Sequence, residues 1–321
     1  MDIGICFHRE EGAATVAGRA RQAEDVGFDE FWVIEDCFYT AGPTLAAAAL
    51  TATDEITVGI GILPVVARNA AVTAMELATL TELAPGRFHA GLGHGVQSWM
   101  AQMNERVASP LTALDETFDA VRRLLDGETV TVDGRYVTLD NVALQPAPAG
   151  RPLLSAGVRG PKSMALAGRC ADGVILADFV SADYVRAVRD QLGDGNHRIT
   201  VFASLDLAES PEQLAEFRAG IAHFIAGVAS DAPISMRSAP FWDELAERAA
   251  AVGWYDAIVA MPNEWWSTIS GVGLASDVVD YVESLKAAGA DAVAFFPDPF
   301  APADMTAAAG RDLLPLLREL A

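Results

Sequence analysis

What most constrains this chain is an alternation: short apolar runs and longer amphipathic runs follow one another with connections of a few residues. Residues 3–7 read as a buried strand, 12–26 as a helix closed by Gly27, and 28–34 as a second strand. A helix follows Pro43, then a strand over 56–66, a helix over 70–83 turning at Pro85-Gly86, and a strand over 87–93. The pattern resumes with a helix over 111–125, strand five over 152–158 and a helix over 161–169. Strand six (173–177), a helix (182–192), strand seven (199–207) and a helix (211–227) follow. A helix over 275–288, strand eight over 291–296 and a last helix over 303–320 complete the count. Strands separated by helices and short loops pair in parallel, since an antiparallel neighbour needs only a hairpin.

Eight such units predict an α/β fold of the (β/α)8 TIM-barrel type. An open doubly wound sheet would carry a glycine fingerprint after its first strand, where Phe7-His8-Arg9 stand instead. Two stretches interrupt the alternation. Residues 128–139 alternate around Asp133-Gly134 and predict a β-hairpin off the main sheet. Residues 230–272 read as irregular and hold Trp254, Trp265 and Trp266, side chains expected in the core or at a subunit interface, with the lining of a substrate pocket as the alternative. No linker rich in Pro, Gly or Ser divides the chain, so residues 1–321 are expected to form one barrel domain.

Composition removes several function classes. A formal net charge of −22 opposes binding to nucleic acid or an anionic membrane, since both call for a basic surface. Cys6, Cys37 and Cys170 are odd in number, widely spaced and without a Cys-x-x-Cys pair. Neither a disulfide framework nor a metal knuckle is expected from them, and the location expected is a reducing cytoplasm. The first residues enter a strand with no basic or apolar leader, and no apolar run is long enough to span a bilayer.

In a barrel of this type the active site lies at the carboxyl ends of the strands. That rule singles out His8 after strand one, Glu35-Asp36 after strand two and Gly61-Ile62 on strand three. Strand four ends in Gly91-Leu92-Gly93-His94-Gly95, whose glycines are expected to let bare backbone approach a flat or phosphorylated ligand. Strands six and eight end at Ala177-Asp178 and Pro297-Asp298. At strand five, Ala156-Gly157-Val158-Arg159-Gly160 leads into a helix that opens Pro161-Lys162. Free N–H groups at that helix start, flanked by Arg159 and Lys162, suit an anion; a plain N-cap with surface charges is the alternative. Lys162 and Lys286 are the only lysines in the chain. His8 and His94 suit proton transfer or ligand hydrogen bonding, and Phe38 and Trp99 are candidates for a substrate pocket. Glu35 and Asp36 are adjacent on one strand and point oppositely, so at most one faces the mouth. No hydrolase, zinc-protease or phosphate-loop motif is present.

Taken in order, these pieces resemble the bacterial-luciferase-like superfamily of flavin-dependent monooxygenases and deazaflavin-dependent reductases. The match is carried by Ala23-Glu24-Asp25-Val26-Gly27-Phe28-Asp29, Arg68-Asn69-Ala70, Leu83-Ala84-Pro85-Gly86-Arg87-Phe88 and Gly91-Leu92-Gly93-His94-Gly95. Gly157-Val158-Arg159-Gly160-Pro161-Lys162, Ala171-Asp172-Gly173 and Ala288-Gly289-Ala290-Asp291 extend it over nearly the whole chain, most weakly over 230–272. The resemblance implies a flavin-type ring at the strand ends, with Gly61-Ile62 where members often carry a non-prolyl cis peptide. It also implies Gly157, Arg159, Gly160 and Lys162 at the cofactor phosphate, with Gly93, His94, Gly95, Ala156 and Val158 beside the cofactor. Two departures concern chemistry. Deazaflavin relatives usually carry Asp-His where Glu35-Asp36 stand here, and some carry an acidic residue where this chain has Val96. Glu35, Asp36 or His94 would then have to act as acid or base, unless hydride transfer needs none.

The resulting expectation is an oxidoreductase moving a hydride between the deazaflavin coenzyme F-420 and a small organic substrate. The alternatives are a two-component FMN monooxygenase fed by a separate reductase, and a non-catalytic flavin-binding protein. Relatives are often dimers, so a homodimer is a candidate assembly. No metal is expected.

Overall fold

A computed structural model describes residues 1–177, 179–193 and 195–319. Asp178 and the expected end of the last helix at Leu320 lie outside the described residues. The first half alternates as anticipated: β1 (Asp2–Cys6), α1 (Val16–Val26), β2 (Glu30–Val33), α2 (Gly42–Ala52), β3 (Thr57–Pro64), α3 (Ala70–Leu83) and β4 (Phe88–Gly93). Local chemistry sets the boundaries. Gly27 ends α1 at φ +96°, its N–H closing on the carbonyls of Ala23 and Glu24. The Asn69 side chain caps α3 by accepting the Ala71 N–H at 2.9 Å.

A short helix, α4 (Gln97–Gln102), and α5 (Pro110–Leu125) lead to the hairpin β5 (Val130–Asp133) and β6 (Thr138–Val142). The hairpin lies at the expected place but turns differently. Four residues separate its strands, and the Glu116 carboxylate on α5 accepts the N–H groups of Arg135, Tyr136 and Val137. That external acceptor replaces the tight Asp-Gly turn.

The second half contains β7 (Leu153–Gly157), α6 (Pro161–Cys170), β8 (Gly173–Ala177), α7 (Ala182–Leu192), β9 (Arg198–Leu207) and α8 (Pro211–Ala229). Residues 230–272 are not irregular, which corrects the sequence expectation. They form α9 (Ile234–Arg237), α10 (Trp242–Val252), α11 (Trp254–Val259), α12 (Asn263–Ile269) and the start of β10 (Gly271–Gly273). These helices are short and apolar-rich, so no long helical period is present to read. With α8 they enclose a second core of Ile225, Phe241, Ile258 and Trp266. Trp265 stacks on Phe241 at 4.6 Å between centroids and Trp254 on Trp242 at 5.2 Å. All three tryptophans thus pack in or against this core. The chain ends with α13 (Ala275–Ala287), β11 (Ala292–Pro297), α14 (Pro302–Ala308) and α15 (Leu314–Glu319).

The parallel strands run β11-β1-β2-β3-β4-β7-β8-β9, and β9 pairs again with β11, closing an eight-stranded TIM barrel. The short β10 adds to the upper part of β9, with Val272 opposite Asp206. Alternate residues fill the barrel. Trp32, Phe202, Ile175, Ala294 and Cys6 pack inward, while the opposite faces bury Ile3, Phe31, Val58, Leu154 and Val201 against the helices. Lower in the barrel, Arg198 bridges Asp2 (2.6 Å) and Glu30 (2.7 Å), and Glu30 accepts the Trp32 indole N–H at 2.9 Å. Burial raises the Glu30 carboxyl above its ordinary range, an effect Arg198 opposes. This polar plug fixes one end of the barrel, leaving the carboxyl ends of the strands as the mouth.

Candidate active site

The floor of the mouth is an aromatic ladder. Rings follow one another from His8 to Phe296 (6.4 Å), Phe202 (5.6 Å), Trp32 (5.1 Å) and His89 (4.7 Å). His89 bonds Ser155 at 2.8 Å and is held neutral, its pKa lowered by burial to about 3, so it is a packing histidine. The glycines around this ladder answer to it. A Cβ on Gly61 would lie 2.6 Å from the Phe202 ring, and one on Gly157 would lie 2.6 Å from the Ile62 side chain. The sequence expectation was that glycines here clear space for a ligand. On the inward side the Gly93 and Gly157 space is occupied by Ile62, so these glycines admit a protein side chain and Ile62 becomes the surface presented to the mouth. The Gly61–Ile62 peptide is cis, as is Cys37–Phe38.

Ala156 and Val158 are buried in the outer core at 0% and 3% exposure, which leaves only their main chain for a ligand. Beyond them α6 begins. Its N-cap, Gly160, contributes no side-chain hydrogen bond, and among the described residues no side chain accepts the first N–H groups of this ten-residue helix. Lys162 and Arg159 are exposed there, and the Arg159 carbonyl accepts the Tyr184 hydroxyl at 2.8 Å, which anchors the loop. His94 Nε2 lies 3.1 Å from the Ser163 hydroxyl and ties the β4 loop to this helix start. Burial lowers the pKa of His94 despite a favourable Pro110 backbone, so the ring is neutral near pH 7. His94, Gly160 and Lys162 thus share one rim sector, whose first helix N–H groups have no side-chain acceptor among the described residues. A phosphate fits that donor set.

The β1–β3 sector is different. Glu35 receives Arg68 in a two-pronged ion pair (2.7 and 3.0 Å) and the Gly42 N–H at 2.9 Å. Both carboxylate oxygens are engaged, which suits a brace between β2 and the β3 loop better than an acid or base. Asp36 is held by Arg9 at 2.9 Å, and Arg9 stacks over Tyr39. His8 is half-buried and titrates below an ordinary histidine, burial being the main cause. Phe38 is exposed, Trp99 half-buried on α4, and Val96 exposed just before it.

A third sector was not assigned from sequence. Asp206, in phase with inward-facing Phe202 on β9, is 7% exposed, and its Oδ1 has no partner among the described residues. Asp298 follows β11 in phase with Phe296, one step past the Leu205–Pro297 pair. Adjacent strands lie about 4.8 Å apart, so the two carboxyls share one corner of the mouth. Burial first, then the Asp298 charge, raises Asp206 to about 7. The signal was present: the one acid in the apolar run 199–207, at inward parity and near its carboxyl end. Among the described residues no cluster of His, Cys, Asp and Glu is placed to hold a metal, and no helix is long and apolar enough to cross a membrane.

Comparison with known proteins agrees with this architecture. A 5,10-methylenetetrahydromethanopterin reductase from Methanolobus tindarius is 34% identical over 194 residues, 59% of this chain and 58% of that protein. The chain thus matches only a little over half the length of this curated relative. Among solved structures, the coenzyme F420-dependent tetrahydromethanopterin reductase of Methanopyrus kandleri superposes with a TM-score of 0.77 at 19% identity, covering 98% of each chain. The oxygenating constituent of 3,6-diketocamphane monooxygenase from Pseudomonas putida, in complex with FMN, gives 0.68 at 16% identity, covering 99% of this chain and 98% of that one. These two likenesses establish the fold. The family model described as luciferase-like monooxygenase matches residues 3–292, and the chain belongs to that family.

Proposed function

We propose that this protein is an oxidoreductase that moves a hydride between the deazaflavin coenzyme F-420 and a small organic substrate. The observation that carries the reading is the start of α6, where uncapped N–H groups, Lys162 and the His94–Ser163 link form a ready phosphate cradle beside an apolar mouth. The likeness to the coenzyme F420-dependent tetrahydromethanopterin reductase, taken with the 34% identity to a methylenetetrahydromethanopterin reductase, supports the deazaflavin over FMN. When bound, the cofactor would supply the hydride-accepting or hydride-donating carbon.

The chain's own residues would bind, orient and protonate. Gly157, Arg159, Gly160 and Lys162 hold the phosphate, with Gly93, His94 and Gly95 beside it. Gly61 and Ile62 form the wall against which a flat ring rests, and the apolar ladder below keeps water out. Glu35 braces Arg68 and Asp36 braces Arg9, so neither is the proton donor in this reading. Asp206 takes that role: a carboxyl near pH 7 is partly protonated and can give a proton to the substrate heteroatom as carbon gains hydride. His8, Phe38 and Trp99 line the substrate side.

We read residues 1–321 as one domain, with α9–α12 as its insertion, working in the cytoplasm. A homodimer is the proposed assembly; exposed Val72 and Met75 on α3 offer an apolar face to a second copy, which sedimentation velocity tests. An FMN monooxygenase served by a separate reductase is the second reading, favoured by the FMN-bound structural likeness and by the absence of a histidine after β2. Fluorescence titration of the purified protein decides: saturable binding of F-420 is expected, and tight binding of reduced FMN alone would refute the first reading.

A further inference from the structure

Helix α8, on which the α9–α12 insertion packs, carries an arginine that no carboxylate among the described residues pairs with. Arg218 stands on the buried face of α8 with Ala222, Ile225 and Ala229, and is 9% exposed. Its Nη1 donates to the Asn263 side chain, while Nε and Nη2 have no partner among the described residues. Those two nitrogens form the lateral edge of the guanidinium, the edge that receives two oxygens of one carboxylate or phosphate. The Arg218 guanidinium carbon lies 5.4 Å from the centroid of the Trp266 ring, fully buried, whose Nε1–H also has no partner among the described residues. Three unused donors and no acceptor therefore gather in one apolar place.

A buried, unpaired charge is unfavourable, and among the described residues no carboxylate pairs with this one. Asp277 is the carboxylate whose field reaches it, but its Oδ2 accepts the Leu274 N–H at 2.9 Å and caps α13. Burial pulls the Arg218 pKa down, as expected for a cation awaiting an anion. The place also suits a substrate. α8 and α12 both pack on β10, and Val272 of β10 pairs with Asp206 on β9. The two helices that carry the donors thus pack on the strand next to the one that carries Asp206.

We propose that Arg218 and Trp266 form an oxyanion-binding site that takes a carboxylate or phosphate group of the substrate. Two anion oxygens accept from Nε and Nη2 of Arg218, and Trp266 Nε1 donates to one of them. The substrate class is then a small organic acid or phosphate ester, anchored at its charged end with the reducible carbon toward the barrel mouth. This assignment rests on reading that mouth as the substrate pocket. The site itself does not depend on any cofactor.

Thermal unfolding of the intact chain at constant ionic strength, in chloride against acetate or inorganic phosphate, tests it. Anion binding to the folded state should raise the wild-type midpoint by about 2 °C at saturating concentration. Arg218→Met should abolish that rise, and Arg218→Lys, which keeps the charge but loses the fork, should weaken binding at least ~10-fold. Tryptophan emission should change with the anion in wild type and not in Trp266→Phe. A larger response to acetate or to phosphate identifies which oxyanion the site takes. Equal shifts in wild type and Arg218→Met would overturn the proposal. So would no shift in wild type with Arg218→Met less stable, the result of a purely structural cation–π contact. No cofactor or turnover enters, so this site and the deazaflavin reading can fail separately.

Discussion

Replacing Asp206 with asparagine separates what this carboxyl does to stability from what it does for turnover. Asp206 is 7% exposed, and burial beside Asp298 raises its pKa from 3.8 to about 7. A shift of about three units at ~1.4 kcal/mol each sets a ceiling of about 4 kcal/mol on the penalty of ionising it in the fold. Water at the open mouth screens the charge, so about 2 kcal/mol is the expected size. The unfolded chain loses this proton near 3.8, whereas the folded chain keeps it to about 7. Below the lower value both states are protonated and the group has no effect. Between the two, the folded state binds more protons, so this contribution to stability declines as pH rises; above about 7 the full penalty is present. β10 carries no titratable side chain, and among the described residues Asp298 is the charged group that acts on Asp206.

Asparagine cannot ionise, so Asp206→Asn should gain on wild type steadily from pH 4 to 7 and hold a constant advantage above that. Urea unfolding at pH 5, 6, 7 and 8, with the slope checked for constancy, measures the difference directly. The same variant should lose turnover by about 10²–10⁴-fold, the usual worth of a positioned general acid. A stability gain joined to an activity loss is the signature of a group kept in an unfavourable state for chemistry. Parallel pH profiles for wild type and variant would show that Asp206 ionises as an ordinary carboxyl, and the argument for it would fall.

Lys162→Ala should weaken cofactor binding about 10-fold, read by fluorescence titration, while leaving the unfolding midpoint unchanged, because the side chain is exposed at the start of α6. Gly157→Ala should destabilise by about 1–3 kcal/mol through its 2.6 Å clash with Ile62; Ile62→Ala should cancel part of that in a double-mutant cycle, and strict additivity would show that the clash is not with Ile62. Glu35→Gln should lower stability by about 2 kcal/mol in chemical unfolding by leaving Arg68 half-paired, yet keep turnover within a few fold; a loss of 100-fold would restore Glu35 as a catalytic residue.

The parts of this protein that were legible in its sequence are those where local chemistry and the final fold ask for the same residue. The barrel could be read because each helix carries its own stop or start, as Gly27, Asn69 and Pro161 do, and because short loops leave parallel pairing as the simple solution. The start of α6 could be read for the same reason, since Gly160-Pro161 declares where the helix begins; the anion site proposed there depends only on that chain direction. Residues 230–272 could not, since their order comes from mutual packing of Phe241, Trp265 and Trp266, a long-range effect with no local period. Side-chain roles were least legible. Glu35 looked like a mouth carboxylate until its partner proved to be Arg68, 33 residues away. Gly93 looked like ligand space until Ile62 filled it from another strand. Arg218 sits in sequence surroundings no different from those of a solvated charge, and only burial separates it; Asp206 stands out only once strand parity is known, as the one acid of the apolar run 199–207. Both are groups whose surroundings fail to satisfy them, whereas Glu35, Asp36 and Glu30 have partners inside the chain. In a barrel whose other buried charges are paired among the described residues, the unsatisfied ones mark where a partner from outside the chain belongs.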